Sequence, residues 1–263
     1  MQHLFINAVF YKTINQFIKK PTVMRKIFLS VIIASAMLFS FAQNKTINDA
    51  NAQSRTATGF HSIRISHGID LYLSQSNEEA VAVSASTTNY RDKIKTEVEG
   101  GVLKIYLENE HGISWNTGNH KLKAYVSFKM LDELMASGGS DVFFESEIAV
   151  EKLNINLSRG SDLKKGSVKI NELSLNQSGG SDVHLSGTVT NLKVVASGGS
   201  DLKAYDLVAD ICDVQASGGS DANITVNKEL NIFASGGSDV HYKGTAVVKE
   251  IKSSGASSVS KRS

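Results

Sequence analysis

The sequence predicts an all-β protein, a parallel β-helix or β-solenoid with coils of about 20 residues. Three observations lead there. The phrase Ser-Gly-Gly-Ser-Asp stands at Ser137–Asp141, Ser178–Asp182, Ser197–Asp201, Ser217–Asp221 and Ser235–Asp239. A variant, Ser158-Arg159-Gly160-Ser161-Asp162, and a decayed copy, Ser254-Gly255-Ala256-Ser257-Ser258, extend the series, whose starts step by 21, 20, 19, 20, 18 and 19 residues. Repetition at that period marks stacked units that each bury a face against the next. Second, apolar residues alternate with polar ones before each phrase (Leu153, Ile155, Leu157; Leu192, Val194, Ala196; Leu230, Ile232, Ala234) and again after it (Val142, Phe144; Val183, Leu185). A period of two is a strand with one buried face. Third, Gly-Gly at each turn supplies the positive φ that other residues resist. Consecutive antiparallel hairpins are the alternative arrangement; near-identical turns repeated in register favour the stacked coil. The only proline, Pro21, lies outside the repeats, so no ladder is interrupted.

Taken in order, residues 1–23 read as an upstream extension ahead of the natural start, Met24. Residues 24–42 read as a secretory signal peptide: Arg25 and Lys26, an apolar run from Ile27 to Phe41, and a small-residue end at Ser40-Phe41-Ala42. The run is short for a membrane span, which needs roughly 20 apolar residues; an uncleaved signal anchor is the other reading. Residues 43–55, polar and rich in Asn, Thr, Ala and Gln, read as a linker. A single domain is expected over 56–256. In its N-terminal part, 56–130, strands are expected around Ile63–Ile65, Gly68–Leu73, Val81–Ala85 and Leu122–Phe128, with Ile94–Val98 and Val102–Leu107 joined as a hairpin by Gly100-Gly101. The repeat coils fill 131–256, where Gly166, Gly187 and Gly244 mark a second corner. Residues 257–263 read as a frayed tail.

Charge and cysteine content narrow the function. Removing residues 1–42 takes away five basic residues (Lys12, Lys19, Lys20, Arg25, Lys26) and no acidic one, so 28 basic residues fall to 23 against 26 acidic, a net charge of −3. Nucleic-acid binding loses its electrostatic argument. Cys212, the sole cysteine, excludes an intrachain disulfide and sits at the inward position that Leu192 holds one coil earlier. The mature chain is expected not to span a membrane, and to reside in the periplasm or at the cell surface.

Phe60-x-x-Ile63-x-Ile65-x-x-Gly68-Ile69-Asp70-Leu71-x-Leu73, Lys95-Thr96-Glu97-Val98 with Gly101-x-Leu103-x-Ile105, and the Ser-Gly-Gly-Ser-Asp series resemble the GIN domain, the head domain of putative auto-transporter adhesins in exported proteins of Bacteroidetes-type bacteria. The resemblance runs from about Thr58 to Gly255. It implies a β-helix-like fold and an adhesive role, and no catalytic residues. Where the family often reads Gly-Ile-Asn, this chain has Gly68-Ile69-Asp70.

Stacked turns would place Asp141, Asp162, Asp182, Asp201, Asp221 and Asp239 in one column. Close carboxylates repel, so the column needs a remedy. Calcium, which takes six to eight oxygens, is one candidate cofactor; hydrogen bonds from each turn to its own Asp are the other explanation. Arg159, the one charge in a Gly-Gly slot, is expected to neutralise neighbouring carboxylates, with Lys164, His184, Lys203 and His241 each two residues after an Asp. Trp115, with Asn116 and His120, forms a candidate ligand-contact loop, since an exposed indole stacks on a sugar face; packing against the solenoid end is the competing use. No nucleophile elbow, phosphate-binding glycine loop or zinc-protease helix occurs. The function expected is a non-enzymatic envelope or surface protein that presents a solenoid to a glycan or protein partner. A periplasmic carbohydrate-active enzyme and a purely structural envelope protein are the alternatives.

Overall fold

The structure, a computed structural model, describes residues 49–108 and 120–263. Four long strands carry the repeats: β11 (Leu163–Ser178), β12 (Val183–Ala196), β13 (Leu202–Ala216) and β14 (Asp221–Ala234). Each runs from one phrase to the next and pairs in parallel with its equivalents in the coils on either side, which settles the choice against antiparallel hairpins. The register matches the sequence repeat: Leu153 pairs with Leu173, Leu173 with Leu192, Leu192 with Cys212 and Cys212 with Leu230. All five are buried, so one apolar column runs through the interior. Beside it run the columns ending each coil, among them Val194, Val214 and Ile232, so that the core is filled by its own side chains.

The ladders shift register midway along each coil, between Leu163 and Gly166 and between His184 and Gly187. This is the second corner that the glycines signal. Gly187 has φ 113°, and a Cβ there would stand 2.0 Å from the Val168 carbonyl oxygen. The chain turns here by bringing one backbone against another.

Two coils precede the repeats. β2 (Ser62–Ile65) leads to β3 (Asp70–Gln75), and after a detour β6 (Val102–Leu107) leads to β7 (Lys123–Phe128). Spatial order differs from chain order. β2 lies between β6 and β8 (Glu133–Ser137), and β3 between β7 and β9 (Val142–Phe144), all parallel. β8 then pairs with β10 (Ile148–Ser158), which opens the repeat stack. The detour consists of β4 (Ala80–Ser84), the short helix Thr88–Asp92 and β5 (Ile94–Glu99). β4 pairs antiparallel with β7, and β5 forms the expected hairpin with β6. These antiparallel strands finish the N-terminal end.

Two expectations are corrected. Gln53–Arg55, assigned to the linker, forms β1, an edge strand antiparallel to β4. Its hold is polar: Arg55 donates to the carbonyl of Arg91, whose own side chain donates to the carbonyl of Asn51. The tail does not fray. Ser258–Lys261 forms β17 and pairs in parallel with β15 (Asp239–Lys243), while β16 (Val247–Ser253) pairs with β14. The decayed phrase before β17 keeps what its turn needs, a glycine at φ 72° (Gly255) and a serine hydroxyl, Ser257 Oγ, that donates to the Ser254 carbonyl at 2.8 Å.

Candidate functional site

The repeated phrase forms one edge of the solenoid, and each of its positions has a physical task. The two central positions have positive φ in every copy of the full phrase except at Gly237, for instance 69° at Gly198 and 74° at Gly199. The first is also crowded from the neighbouring coil, since a Cβ on Gly198 would lie 3.1 Å from the Gly179 amide nitrogen. Arg159 takes this slot at φ 56°.

The second serine is the buried element of the turn. Ser140, Ser161, Ser181, Ser200, Ser220 and Ser238 are all 0% exposed. Such a hydroxyl must find partners, because burying it unpaired costs several times what a satisfied one gains. Ser200 Oγ donates to the Ser197 carbonyl at 2.9 Å and accepts the Ser181 N–H of the preceding coil at 3.1 Å. Ser161 accepts from Ser140 N and Ser220 from Ser200 N in the same way. The ladder closes each turn and ties it to the next.

The aspartates stand outward of the serines in the predicted column, and the structure adds a member. Ile65 pairs with Ala136 and Leu71 with Val142, so Ser66-His67-Gly68-Ile69-Asp70 is a further copy of the phrase, with His67 and Gly68 both in the left-handed region. Asp70 therefore extends the column, and Lys123, its partner in β7, terminates it. Several carboxylates serve their neighbours. Asp162 Oδ1 accepts the Asp182 N–H at 2.7 Å, Asp182 Oδ1 accepts the Asp201 N–H at 3.2 Å, and Ser258 Oγ donates to Asp239 Oδ1 at 2.6 Å.

The column retains like-charge strain. Burial pushes the Asp201 carboxyl above its ordinary value, and the charges of Asp182 and Asp221 add to it. Asp70 and Asp141 are raised too, by burial first and then by the neighbouring carboxylate in each case, with Lys164 opposing at Asp141. The cations placed on the column are lysines. Lys164 Nζ lies 2.5 Å from Asp162 Oδ2 and 3.6 Å from Asp141 Oδ2, and Lys203 Nζ lies 3.9 Å from Asp182 Oδ2. The neutralising position expected for Arg159 is thus held by Lys164, whose strand points it along the column. Calcium needs several oxygens converging on one point. Among the described residues no three His, Cys, Asp or Glu side chains converge in that way; the column offers one carboxylate per coil, and those of Asp162 and Asp182 already accept a backbone N–H.

Beside the aspartates lies a second outward column, not foreseen as a unit: Tyr125, Tyr72 and Phe143 in register, then, across a shift at which Phe143 pairs with Lys165, Lys164 followed by His184, Lys203, Asn223 and His241. Its first three rings stack along the axis, with centroids 5.2 Å apart for Tyr125–Tyr72 and 4.9 Å for Tyr72–Phe143. Tyr125 hydroxyl donates to Asp49 Oδ2 at 2.8 Å. These faces are spent on one another, so the rings fix neighbouring coils rather than offer a stacking platform. The signal was available: the spacing from Ile65 to Leu71 equals that from Ala136 to Val142. Of the expected ligand-contact loop, Trp115 and Asn116 lie outside the described residues. His120 stacks on Tyr90 at a centroid distance of 3.8 Å, and its carbonyl accepts the Ser86 N–H. Cys212 is fully buried, and burial drives its thiol far up, which removes the reactive thiolate at neutral pH.

Comparison with known proteins follows from this geometry. Residues 59–246 match the family described as "Putative auto-transporter adhesin, head GIN domain". Among solved structures, a putative adhesin from Bacteroides fragilis is similar with a TM-score of 0.69 at 18% identity, over 80% of this chain and 96% of that one. A putative lipid binding protein from Parabacteroides distasonis gives 0.60 at 22% identity, over 82% and 98%. A putative adhesin from Parabacteroides merdae gives 0.58 at 17% identity, over 81% and 95%. At these identities the likeness is one of fold. No curated protein matches.

Proposed function

This chain belongs to the family of putative auto-transporter adhesin head GIN domains, and from that premise we propose that it is an exported, non-enzymatic cell-envelope or surface protein whose solenoid flank binds a glycan or protein partner. The observation that carries the reading is the turn edge, where an acidic and a partly basic column run side by side: Asp162 with Lys164, Asp182 with His184, Asp201 with Lys203, Asp239 with His241. Backbone ladders hold both columns at the coil spacing of about 4.8 Å. A rigid surface of evenly spaced polar groups meets an extended partner at little conformational cost, which is the usual use of solenoid flanks. The interior is packed with side chains such as Val194, Val214 and Ile232 at 0% exposure, so a ligand meets the outside of the coil. Among the described residues no helix is long and apolar enough to cross a membrane, and the apolar run 27–41 supports export through a cleaved signal.

The test is binding of the purified chain to arrays of envelope glycans and to surface-protein extracts of known composition, with Lys203→Glu as the contrast. Binding that weakens in the variant supports the flank as the contact surface. Equal binding by both forms moves the contact elsewhere, with the Trp115 loop next to be examined by Trp115→Ala. Release of new reducing ends from acidic polysaccharides would overturn the non-enzymatic reading in favour of the carbohydrate-active alternative. Recovery of the chain from the cytoplasm, uncleaved, would overturn export.

A further inference from the structure

The two ends of the solenoid are finished differently. At the N-terminal end every coil strand is covered: β6 by the antiparallel β5, and β7 by β4, which β1 covers in turn. At the other end β16 pairs only with β14 and β17 only with β15 among the described residues. One edge of each strand therefore presents unpaired backbone N–H and C=O groups, a template for another strand. Among the described residues nothing caps the apolar column there. Ile232 is 0% exposed, whereas Ile251, its register partner in the last coil, is 46% exposed.

The charges around Ile251 say which strand fits. Glu250 and Lys252 flank it on the outward face and pair with each other at 2.6 Å. We propose that this end binds a second copy of the chain, with β16 pairing antiparallel to its symmetry mate about a two-fold axis at Ile251. In that register Ile251 meets Ile251 of the other copy on the inward face, extending the apolar column across the junction. Glu250 lies opposite Lys252 of the other copy, and the reverse, so two opposite-charge cross-strand pairs form by symmetry. Moving the axis one residue toward the N-terminus, onto Glu250, would set the two Glu250 side chains face to face, and moving it half a residue, between Glu250 and Ile251, would oppose Lys249 to Lys252. Self-complementarity of one patch is what an isologous dimer requires, and it closes at two copies.

The test is sedimentation equilibrium of the full, processed chain over a range of concentrations, with three variants. The wild type is expected to sediment at twice the chain mass, in reversible equilibrium with monomer. Ile251→Lys is expected to give monomer with an unchanged melting temperature under dilute conditions, because the side chain is already exposed. Glu250→Lys sets lysines opposite lysines at both symmetric positions and should weaken association at least about tenfold. Glu250→Lys combined with Lys252→Glu restores both pairs and should restore the dimer. A wild-type monomer at every concentration, a dimer indifferent to Ile251→Lys, or an open series of higher assemblies from head-to-tail stacking would each overturn the proposal.

Discussion

The hydroxyl of Ser200 makes two hydrogen bonds that nothing else in its surroundings replaces. Ser200→Ala leaves the buried Ser181 N–H and the half-buried Ser197 carbonyl without these partners. The expected loss is about 1–3 kcal/mol in denaturant unfolding, whereas Ser197→Ala, at the more exposed first position of the same phrase, should cost well under half as much. The neighbouring Asp201 acts in the opposite sense. Its folded-state pKa is raised by burial and by Asp182 and Asp221, so the folded chain holds that proton more tightly than the unfolded one. The resulting stability is complete below the ordinary carboxylate value of about 3.9 and is lost as pH rises through the raised value. At pH 7 the ionised column is therefore under strain. Asp201→Asn removes one charge from it while leaving the backbone N–H that Asp182 accepts. The variant should be more stable than the wild type at pH 7, by on the order of 0.5 kcal/mol. That advantage should shrink as pH falls toward 4. Melting curves of the two proteins across that range check both statements; a wild type more stable than the variant at pH 7 would show that Asp201 stabilises its turn as an ion.

At the level of the element, the coil is defined by two corners of different construction. The phrase makes the first with hydroxyls and left-handed glycines; the second is made by close backbone approach. At Gly187 a Cβ would stand 2.0 Å from the Val168 oxygen, so Gly187→Ala must displace β11 from β12 and should cost more than about 2 kcal/mol, the range of overpacked, strained sites. Gly180→Ala, where nothing lies within 4 Å and only the positive φ resists, should cost about 1 kcal/mol. Chemical denaturation of the pair separates contact from conformation. The same contrast explains what was readable in the sequence. The repeat coils were legible because their turns repeat in residue type and their strands in period. The first copy, Ser66 to Asp70, was hidden because His67 and Ile69 replace the glycine and serine that make the phrase visible, although the backbone adopts the same turn. The strand at Gln53–Arg55 carries no apolar alternation, since as an edge strand it is held by backbone pairing and arginine contacts. The Tyr125–Tyr72–Phe143 stack was invisible for another reason: its rings become neighbours only because β3 is inserted between β7 and β9, an order that no local pattern in the chain records.

For the whole molecule, stability passes from coil to coil. Each coil touches only its two neighbours, so the free energy of opening a segment depends on how many faces it has covered. β13 is paired along both edges, by β12 and β14, and its apolar residues Cys212 and Val214 are 0% exposed. β16 and β17 are paired along one edge, and Ile251 is half in solvent. Native-state hydrogen exchange should therefore show a gradient in one direction. Amides of β17 exchange first, those of β16 next, and those of β12 and β13 last, with the ends of the range separated by at least about 100-fold, equivalent to roughly 2.7 kcal/mol. The N-terminal end should not mirror this behaviour, because β4 and β5 cover its outer coil. Uniform exchange along the chain would mean that the solenoid opens only as one unit, and that the uncovered end is as firmly held as the middle. Exchange that slows specifically in β16 as the protein is concentrated, with β12 and β13 unchanged, is what the paired end predicts: a second copy supplies the covered edge that the described residues do not.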